Sequence, residues 1–310
     1  MATSPLLLRA APLLFVAIWS TGFIAAKYSM HNADPFVFLC LRFSITVVVL
    51  IPLVLLAGSE LPRRAWSYRH DMVTGVLLHG AYLGFVFWPI KNGVPSGIVA
   101  IIIGLQPVVT MALASLFIGE QLGARKLAGL LVGFAGISIV IVGKYGLSLG
   151  LDGGLDPLDL GMCILSLLAV ATGVFYQKKF CDQSHLLPGT MMQYVGGASA
   201  CAVFALLAGE AWRIEWTTSF TVALVWQVLG LSIGAVVLLM IMLKNGEAGR
   251  VSSLFYLVPP LVVIEAHLLF GETLGPLSIL GMVIAVAGVL QVNRKVAATP
   301  PAPLPGRDIS

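Results

Sequence analysis

The chain contains two related halves, and this internal repeat is the feature that most constrains its fold. The tripeptide Lys91-Asn92-Gly93 recurs at Lys244-Asn245-Gly246. Further matches follow in the same order at an offset of 151 to 153 residues, including Thr21 with Thr172, Lys27 with Lys178, Pro107 with Pro260, Gly119 with Gly271, and Gly129 with Gly281. A repeat unit of about half the chain indicates a duplicated domain and not a solenoid of short repeats.

The composition excludes a surface that faces water on all sides. Hydrophobic residues make up 58% of the 310 residues and charged residues 10%, whereas a soluble domain carries about 25% charged residues. Apolar stretches recur that are long enough to cross a hydrocarbon core about 30 Å thick as helices, and they do not alternate as barrel strands do. The sequence predicts ten spans, at 10–28, 36–57, 71–90, 95–118, 124–143, 159–178, 187–208, 221–243, 250–270 and 276–292.

Basic residues are distributed unequally between the two sides of these spans. With the N-terminus in the cytoplasm, thirteen of the eighteen lysines and arginines fall on the cytoplasmic side. Lys27, Lys91, Lys144 and Arg213 fall outside, and Arg42 lies within a span. This positive-inside asymmetry predicts that both termini are cytoplasmic. Because the basic residues are scattered through short loops, nucleic acid is not an expected partner.

Each half contains five predicted spans, so the second half enters the membrane from the opposite side. The predicted domains are a first repeat over 1–148, a linker over 149–158, a second repeat over 159–296 and a disordered cytoplasmic tail over 297–310. The predicted fold class is all-α and integral to the membrane, with ten transmembrane helices as two inverted five-helix repeats. Such repeats place a substrate site between the halves, near the bilayer midplane, and favour transport by alternating access.

The motifs of the chain resemble those of the drug/metabolite transporter superfamily, specifically the bacterial EamA-type proteins with ten helices. The resemblance covers residues 10–295 and rests on motifs at Trp19–Gly22, Lys27, Leu41–Phe43, Gln106–Pro107, and the Gly-Glu-x-Leu-Gly junctions that begin at Gly119 and Gly271. It implies an exporter or carrier of small metabolites, amino acids or drugs in the bacterial inner membrane. It also implies that the first four helices of each half surround a cavity while the fifth and tenth pack at the side.

The fifth and tenth spans carry small residues at matching positions. Gly129 and Gly133 lie four residues apart in the fifth span, and Gly281 and Ala285 do so in the tenth. Small residues at this spacing let helix backbones approach closely in lipid. The sequence therefore favours a packing role for these two spans over a substrate role.

Polar and aromatic residues inside the predicted spans are the candidates for a substrate site, because placing polar groups in lipid is costly. The predicted substrate-binding residues are Trp19, Arg42, His79, Tyr82, Gln106, Tyr176, Gln193 and Tyr256. Pro107 and Pro260 predict kinks at matching points of the two halves, which free backbone carbonyls toward a cavity. Packing is the alternative for each aromatic residue, and a hydrogen-bonded structural role is favoured for His79.

Arg42 has two interpretations. Its guanidinium could bind a substrate carboxylate through a bidentate pair of hydrogen bonds. The sequence slightly favours the alternative, in which Arg42 pairs with Asp34 or with a backbone carbonyl near the outer surface. Its counterpart in the second half is Gln193, and each of the two follows a helix start led by a proline.

Acidic residues in or beside the predicted spans are candidates for proton coupling and for helix capping. Glu265 lies in the middle of the ninth predicted span and is the candidate for proton coupling, with a structural hydrogen bond as the equally weighted alternative. His267 points about 200° away from Glu265, so the two cannot share a cavity or a metal ion. Glu120 and Glu272 are predicted to cap the helices that follow them.

Motifs for nucleotide hydrolysis, zinc proteolysis and serine hydrolysis are absent from the sequence, so no cofactor and no metal are expected. The four cysteines lack the spacing of metal ligands and are interpreted as packing residues. The acidic stretch 152–159 is interpreted as a solvated linker, with a weak divalent-ion site as the alternative.

The predicted function is a secondary transporter that exports small metabolites, such as amino acids, related compounds or drugs, across the inner membrane. The alternative is an integral-membrane enzyme that uses Glu265 or His79 as an acid/base group. A passive channel is a third hypothesis. The expected partners are a small-molecule substrate and the lipid bilayer, with the protein a monomer or a homodimer. The sequence names neither the substrate nor the coupling ion.

Overall fold

The structure, a computed structural model, is built from helices and short turns. It describes residues 5–59, 65–118, 124–145, 155–181, 184–238, 242 and 257–293, and none of these residues forms a strand. A short 3₁₀ turn at Ala65–Tyr68 precedes the third helix. The helices are α1 (Pro5–Ser29), α2 (Pro35–Leu56), α3 (Arg69–Lys91), α4 in two parts (Ser96–Ile103 and Gln106–Ile118), α5 (Ala124–Tyr145), α6 (Pro157–Phe180), α7 (Leu186–Leu207), α8 (Thr218–Leu238), α9 (Val258–Phe270) and α10 (Pro276–Asn293).

Most of these helices match the thickness of a bilayer. Within the described ranges, seven are long and apolar enough to cross it: α1, α2, α3, α4, α6, α7 and α8. Helices α9 and α10 and the Leu131–Lys144 part of α5 contribute shorter apolar stretches. The chain is therefore an all-helical, multi-pass membrane protein. The count of ten spans stays a prediction.

Local sequence signals set where several helices begin and end. Pro35 and Pro157 occupy the first turns of α2 and α6, where the missing N–H of proline costs no helical hydrogen bond. Asp156 Oδ1 accepts from the N–H of Leu158 at 2.8 Å and so caps α6. Helix α9 ends at Gly271, whose φ of 66° lies in the left-handed region that favours glycine.

Two helices contain π-helical segments at matching points of the two halves. Helix α3 is π-helical over Val76–Ala81, and α8 is π-helical over Trp226–Ala235. An offset of 152 residues, within the range of the repeat, places the first segment at 228–233, inside the second. Neither segment is predicted by the sequence. Such π-helical turns are rare and occur frequently at functional sites.

Helix α4 is interrupted at Gly104 and Leu105, directly before Pro107. Proline has no N–H to donate to the carbonyl four residues earlier, so Pro107 removes one hydrogen bond that would otherwise bridge this break. The kink predicted from Pro107 is thus confirmed. In the second half, α9 begins at Val258 beside Pro259 and Pro260.

The main contacts between the two halves occur in pairs that the repeat relates. Helix α1 packs against α8 as α6 packs against α3, and α1 packs against α9 as α6 packs against α4. Helix α2 packs against α8 as α7 packs against α3. Counterparts also meet directly, as α2 with α7, α4 with α9, and α5 with α10. A two-fold relation between the halves would produce this pattern.

Helices α5 and α10 pack backbone against backbone along small residues. A Cβ atom added to Gly136 would lie 2.3 Å from the backbone nitrogen of Ala285, and one added to Gly281 would lie 2.6 Å from the carbonyl oxygen of Gly136. A Cβ atom on Gly288 would lie 2.5 Å from the backbone nitrogen of Gly133. These distances admit glycine alone, so the predicted packing role of the fifth and tenth helices is confirmed.

Replacing Gly136 with valine is expected to lower the stability of the folded protein, because the added side chain must push α5 and α10 apart. Overpacking a close contact costs about 1–3 kcal/mol or more. The measurement is the thermal unfolding temperature of the purified protein in detergent. Gly161→Val in α6 is the matched control, since a Cβ atom at Gly161 meets nothing within 4 Å. Equal unfolding temperatures for the two variants would contradict the contact.

Candidate functional site

A buried polar cluster lies between α1, α2 and α8, with Arg42 of α2 at its centre. Arg42 is 6% exposed. Its Nη1 donates to Gln227 Oε1 at 2.8 Å, and its Nη2 donates to Ser232 Oγ at 3.2 Å. Gln227 Nε2 in turn donates to Ser29 Oγ of α1 at 3.2 Å. The acceptors that hold the guanidinium are therefore neutral, and both belong to the π-helical segment of α8.

The π-helical winding explains how both acceptors reach the same guanidinium. Gln227 and Ser232 lie five residues apart, which on a regular α-helix separates them by about 140° around the axis. A π-helix has a wider turn, with i to i+5 hydrogen bonds, and it brings such residues close to one face. The irregular segment of α8 thus provides a pair of acceptors that a regular helix would not.

Three rings pack beside the guanidinium. Tyr194 of α7 stacks on His79 of α3 with ring centroids 4.4 Å apart, and Phe43 lies 5.5 Å from His79. The Tyr194 hydroxyl donates to the carbonyl of Ser232 at 3.1 Å. Since His79 belongs to the π-helical segment of α3, both π-helical segments meet here. We call this group the Arg42 cluster: Arg42, Phe43, His79, Tyr194, Gln227 and Ser232.

Small residues bring α3 and α7 together beside the cluster. A Cβ atom on Gly197 would lie 2.6 Å from His79 Cβ, and one on Gly75 would lie 1.8 Å from the carbonyl oxygen of Gln193. Gln193, a predicted substrate residue, is buried in α7 at this crossing. The glycines therefore set how closely His79 approaches the helix that carries Tyr194.

The interpretation that pairs Arg42 with Asp34 is wrong. Asp34 forms an ion pair with Lys91 and accepts from the N–H of Ala211 at 3.1 Å. It lies at the N-terminus of α2, where the neighbouring loops supply closer partners than a side chain deeper in the helix. Among the described residues, no carboxylate forms an ion pair with Arg42.

Two of the other predicted substrate residues have partners within α3 to α6. Gln106 Nε2 donates to Thr110 Oγ1 at 3.1 Å within α4. The Tyr176 hydroxyl lies 2.7 Å from His70 Nδ1, where α3 begins and α6 ends, so Tyr176 is not part of the Arg42 cluster.

The remaining three predicted residues differ in how far the structure describes them. Tyr82 is buried one turn after His79, and its carbonyl accepts from Ser166 Oγ at 3.1 Å. The ring of Trp19 packs 5.3 Å from that of Phe15 within α1. Tyr256 lies outside the described residues. The substrate roles of these residues stay predictions.

Two polar contacts join α1 to α9 and to the turn that follows it. Ser20 Oγ and Glu265 Oε1 are 2.7 Å apart, and among the described residues the buried Glu265 Oε2 has no hydrogen-bond partner. Near the end of α1, Lys27 forms an ion pair at 2.6 Å with Glu272, which lies just after α9. His267 Nδ1 lies 3.0 Å from the carbonyl oxygen of Glu272. His267 and Glu265 therefore have different partners, as their spacing predicts.

Glu272 stabilises a different helix from the one the sequence predicted. Its carboxylate lies 3.4 Å from the backbone nitrogen of Ser96 and 3.3 Å from Ser96 Oγ, at the start of α4. A carboxylate at a helix N-terminus interacts favourably with the helix dipole. The prediction that Glu272 caps α10 is thus wrong, because the folded chain places its carboxylate against the start of α4. Glu120 lies outside the described residues.

Further contacts tie the loops at the same end of the bundle. Glu210, after α7, accepts at 3.2 and 2.9 Å from two N–H groups in the first turn of α2. Burial raises the pKa of the Glu210 carboxyl above its ordinary value, although these hydrogen bonds and Lys91 act in the opposite direction. Together with the Lys27–Glu272 and Lys91–Asp34 ion pairs, the hydrogen bonds of Glu210 close this end, which we call the Lys27 end.

Metal ligation has no basis in the described part of the chain, where no group of three histidine, cysteine or acidic side chains could hold an ion. The four cysteines are free thiols, and Cys163 and Cys201 are buried in the core. Asp159, from the acidic stretch, accepts from Asn92 Nδ2 at 2.7 Å at the start of α6.

Comparison with known proteins gives consistent matches along nearly the whole chain. The EamA-like transporter family matches residues 9–142 and 159–294. The chain is 25% identical over 300 residues to the "Probable amino-acid metabolite efflux pump" of Salmonella typhimurium, with 89% of this chain and 91% of that one covered. It is 27% identical over 299 residues to the "Probable terminal-alkyne amino-acid exporter" of Streptantibioticus cattleyicolor, with 92% and 93% covered.

Two further matches also cover nearly the whole chain. The "Uncharacterized transporter YvbV" of Bacillus subtilis is 26% identical over 288 residues, with 91% of this chain and 90% of that one covered. A solved crystal structure has a TM-score of 0.60 at 20% identity, over 93% of this chain and 96% of that one. This last similarity shows that the fold is shared.

Replacing Glu272 with glutamine is expected to loosen the Lys27 end, because it removes the charge that holds Lys27 and the start of α4. The measurement uses Val94→Cys, a buried position at this end, in a background with the native cysteines replaced by alanine. We expect a charged maleimide to label Cys at this position several-fold faster in Glu272→Gln. Glu215→Gln, an exposed acidic side chain in the loop before α8, is the control. An unchanged labelling rate would contradict the closure.

Proposed function

Because the chain belongs to the EamA-like transporter family, we propose that it is a secondary transporter that exports small metabolites by alternating access. Amino acids or related compounds are the proposed substrate class, since two of the relatives are named for the export of amino acids or their metabolites. The family and these names favour a transporter over the enzyme that the sequence left as an alternative.

The paired contacts between the two halves carry the mechanistic part of this proposal. Helices that pack across the halves do so in pairs that the repeat relates, and both π-helical segments lie at the same repeat position. The family also matches the two halves separately. Two inverted halves can exchange their conformations, which gives outward-open and inward-open states of similar energy. We propose ten spans in this arrangement, with a complete transport unit in one chain.

The distribution of basic residues supports an orientation for the bundle. We propose that the protein lies in the bacterial inner membrane with both termini in the cytoplasm, which places the Lys27 end outside. The conformation described above then has its outer end closed by ion pairs and hydrogen bonds. Export requires the Lys27–Glu272 ion pair to open when the substrate leaves.

The hydrogen bonds around Ser20 support the proposed proton coupling at Glu265. Ser20 Oγ carries one proton but has two oxygen atoms within reach, the carbonyl of Ala17 at 3.0 Å and Glu265 Oε1 at 2.7 Å. Both contacts are satisfied together when Ser20 donates to Ala17 and a protonated Glu265 donates to Ser20 Oγ. Loss of the proton from Glu265 would leave a negative charge within a span, and the contact with Ser20 supplies no cation to compensate it.

Counterflow in proteoliposomes tests the proposed function. Vesicles are loaded in turn with pools of amino acids, nucleosides and cationic drugs, with and without a pH gradient. We expect saturable exchange with the amino-acid pool. Product formation without flux would favour an enzyme, and flux that neither saturates nor shows counterflow would favour a channel.

The Glu265→Gln variant tests proton coupling in the same assay. Glutamine keeps a hydrogen bond to Ser20 but has no titratable proton, so we expect the response of transport to the pH gradient to disappear. Glu215→Gln should retain the response of the unaltered protein, because Glu215 is exposed. An identical pH profile in Glu265→Gln and Glu215→Gln would refute the role of Glu265.

A further inference from the structure

The Arg42 guanidinium has more donors than the described residues supply acceptors for. It carries five N–H groups, and the described contacts use one on Nη1 and one on Nη2. In the described part of the chain, the buried Nε atom has no hydrogen-bond partner. A buried donor without an acceptor is unfavourable. The edge of the guanidinium formed by Nε and the adjacent Nη is therefore open to an acceptor from a ligand.

The charge of Arg42 is also uncompensated by the described residues. Its partners Gln227 and Ser232 are neutral, and the rings packed beside it come from Phe43, His79 and Tyr194. Asp34, the acidic residue nearest to Arg42 along the chain, is held by Lys91. A buried cation is ordinarily paired. A ligand with one negative charge would therefore supply what the cluster lacks.

We infer that the Arg42 cluster binds the carboxylate of the transported substrate, an inference that rests on the proposed function. A carboxylate has two oxygen atoms at the spacing of the guanidinium fork, and it accepts from Nε and one Nη in a bidentate pair. A single cation among neutral neighbours balances one negative charge, which fits a monocarboxylate better than a phosphate dianion.

Apolar and aromatic side chains surround the guanidinium. The Phe43 ring lies 5.5 Å from Arg42 Cζ, and the stacked rings of His79 and Tyr194 are packed beside Phe43. Organic acids with a compact apolar portion fit these neighbours, whereas a strongly hydrated inorganic anion does not. The class includes amino acids with apolar side chains.

The bound carboxylate would join the helices that carry the cluster. In the described conformation, Gln227 and Ser232 attach the π-helical segment of α8 to Arg42 of α2. A carboxylate on Nε and one Nη uses N–H groups that these two contacts leave free. Arg42 can therefore hold the substrate and α8 at the same time.

The experiment compares acids with their amides in proteoliposome counterflow. L-leucine is compared with leucinamide, and L-phenylalanine with phenylalaninamide. Each amide keeps the side chain and the amino group of its acid but lacks the carboxylate. For the unaltered protein we expect the acids to exchange with a KM at least ten-fold lower than that of the amides. Equal KM values for acids and amides would overturn the inference. The inference would also be overturned if inorganic phosphate inhibited exchange of the labelled acid as strongly as an unlabelled acid does at the same concentration.

A variant that provides its own carboxylate gives the sharpest test. Gln227→Glu places an anion against Arg42, so we expect a higher unfolding temperature together with at least a ten-fold rise in KM for the acids. Arg42→Lys should raise KM as well, because lysine lacks the bidentate fork. Arg69→Lys, an exposed arginine at the start of α3, is the matched control. Unchanged KM values in a stabilised Gln227→Glu would overturn the inference even if the Arg42 variants do not fold.

The two proposals fail in different ways. If the unaltered protein exchanges no pool at all, the proposed function fails. If it exchanges amino acids but Gln227→Glu and Arg42→Lys retain the KM of the Arg69→Lys control, the proposed function stands and the carboxylate site fails.

Discussion

Hydrocarbon offers no hydrogen bonds, so every polar group in the membrane must find its partner within the protein. This constraint makes the backbone helical and makes each departure from regular helix informative. The break before Pro107 has a covalent cause, because proline lacks an N–H. The π-helical segments of α3 and α8 have no proline, and their inner side chains meet at the Arg42 cluster. The irregular backbone thus coincides with a group of buried polar side chains.

The same constraint explains where the acidic residues are. Glu210 and Glu272 accept from N–H groups at the starts of α2 and α4, so they satisfy donors that a helix leaves free at its N-terminus. Because these two carboxylates are held at the Lys27 end, they do not compensate Arg42 deeper in the bundle. They instead hold the starts of α2 and α4 at that end.

Much of the fold could be predicted from the sequence because the relevant signals are local. Apolar length indicates the spans, Pro107 indicates the break in α4, and small residues such as Gly281 indicate the α5–α10 packing. Partners chosen in three dimensions were not predictable, as the pairing of Asp34 with Lys91 shows. Lys91 is distant in sequence and reaches Asp34 only once α2 and α3 have packed.

The candidate site was predicted in part. Arg42 and His79 stand out because ionisable groups are rare in spans. Gln227 and Ser232 were missed because neutral polar residues are common enough in membrane helices to attract no notice. Their spacing of five residues also hides a shared face unless the backbone is known to be π-helical. A hydrogen-bond register that shifts by one residue leaves no clear mark on the sequence.

The two contacts that α1 makes near the end of α9 have a mechanical consequence. Ser20 meets Glu265 within α9, whereas Lys27 meets Glu272, which lies in the turn after Gly271. One contact is thus held by a helix and the other by the turn that follows it. A rearrangement of this turn can separate Lys27 from Glu272 while α1 and α9 stay joined at Ser20. Opening of this end therefore requires no sliding of one helix past the other.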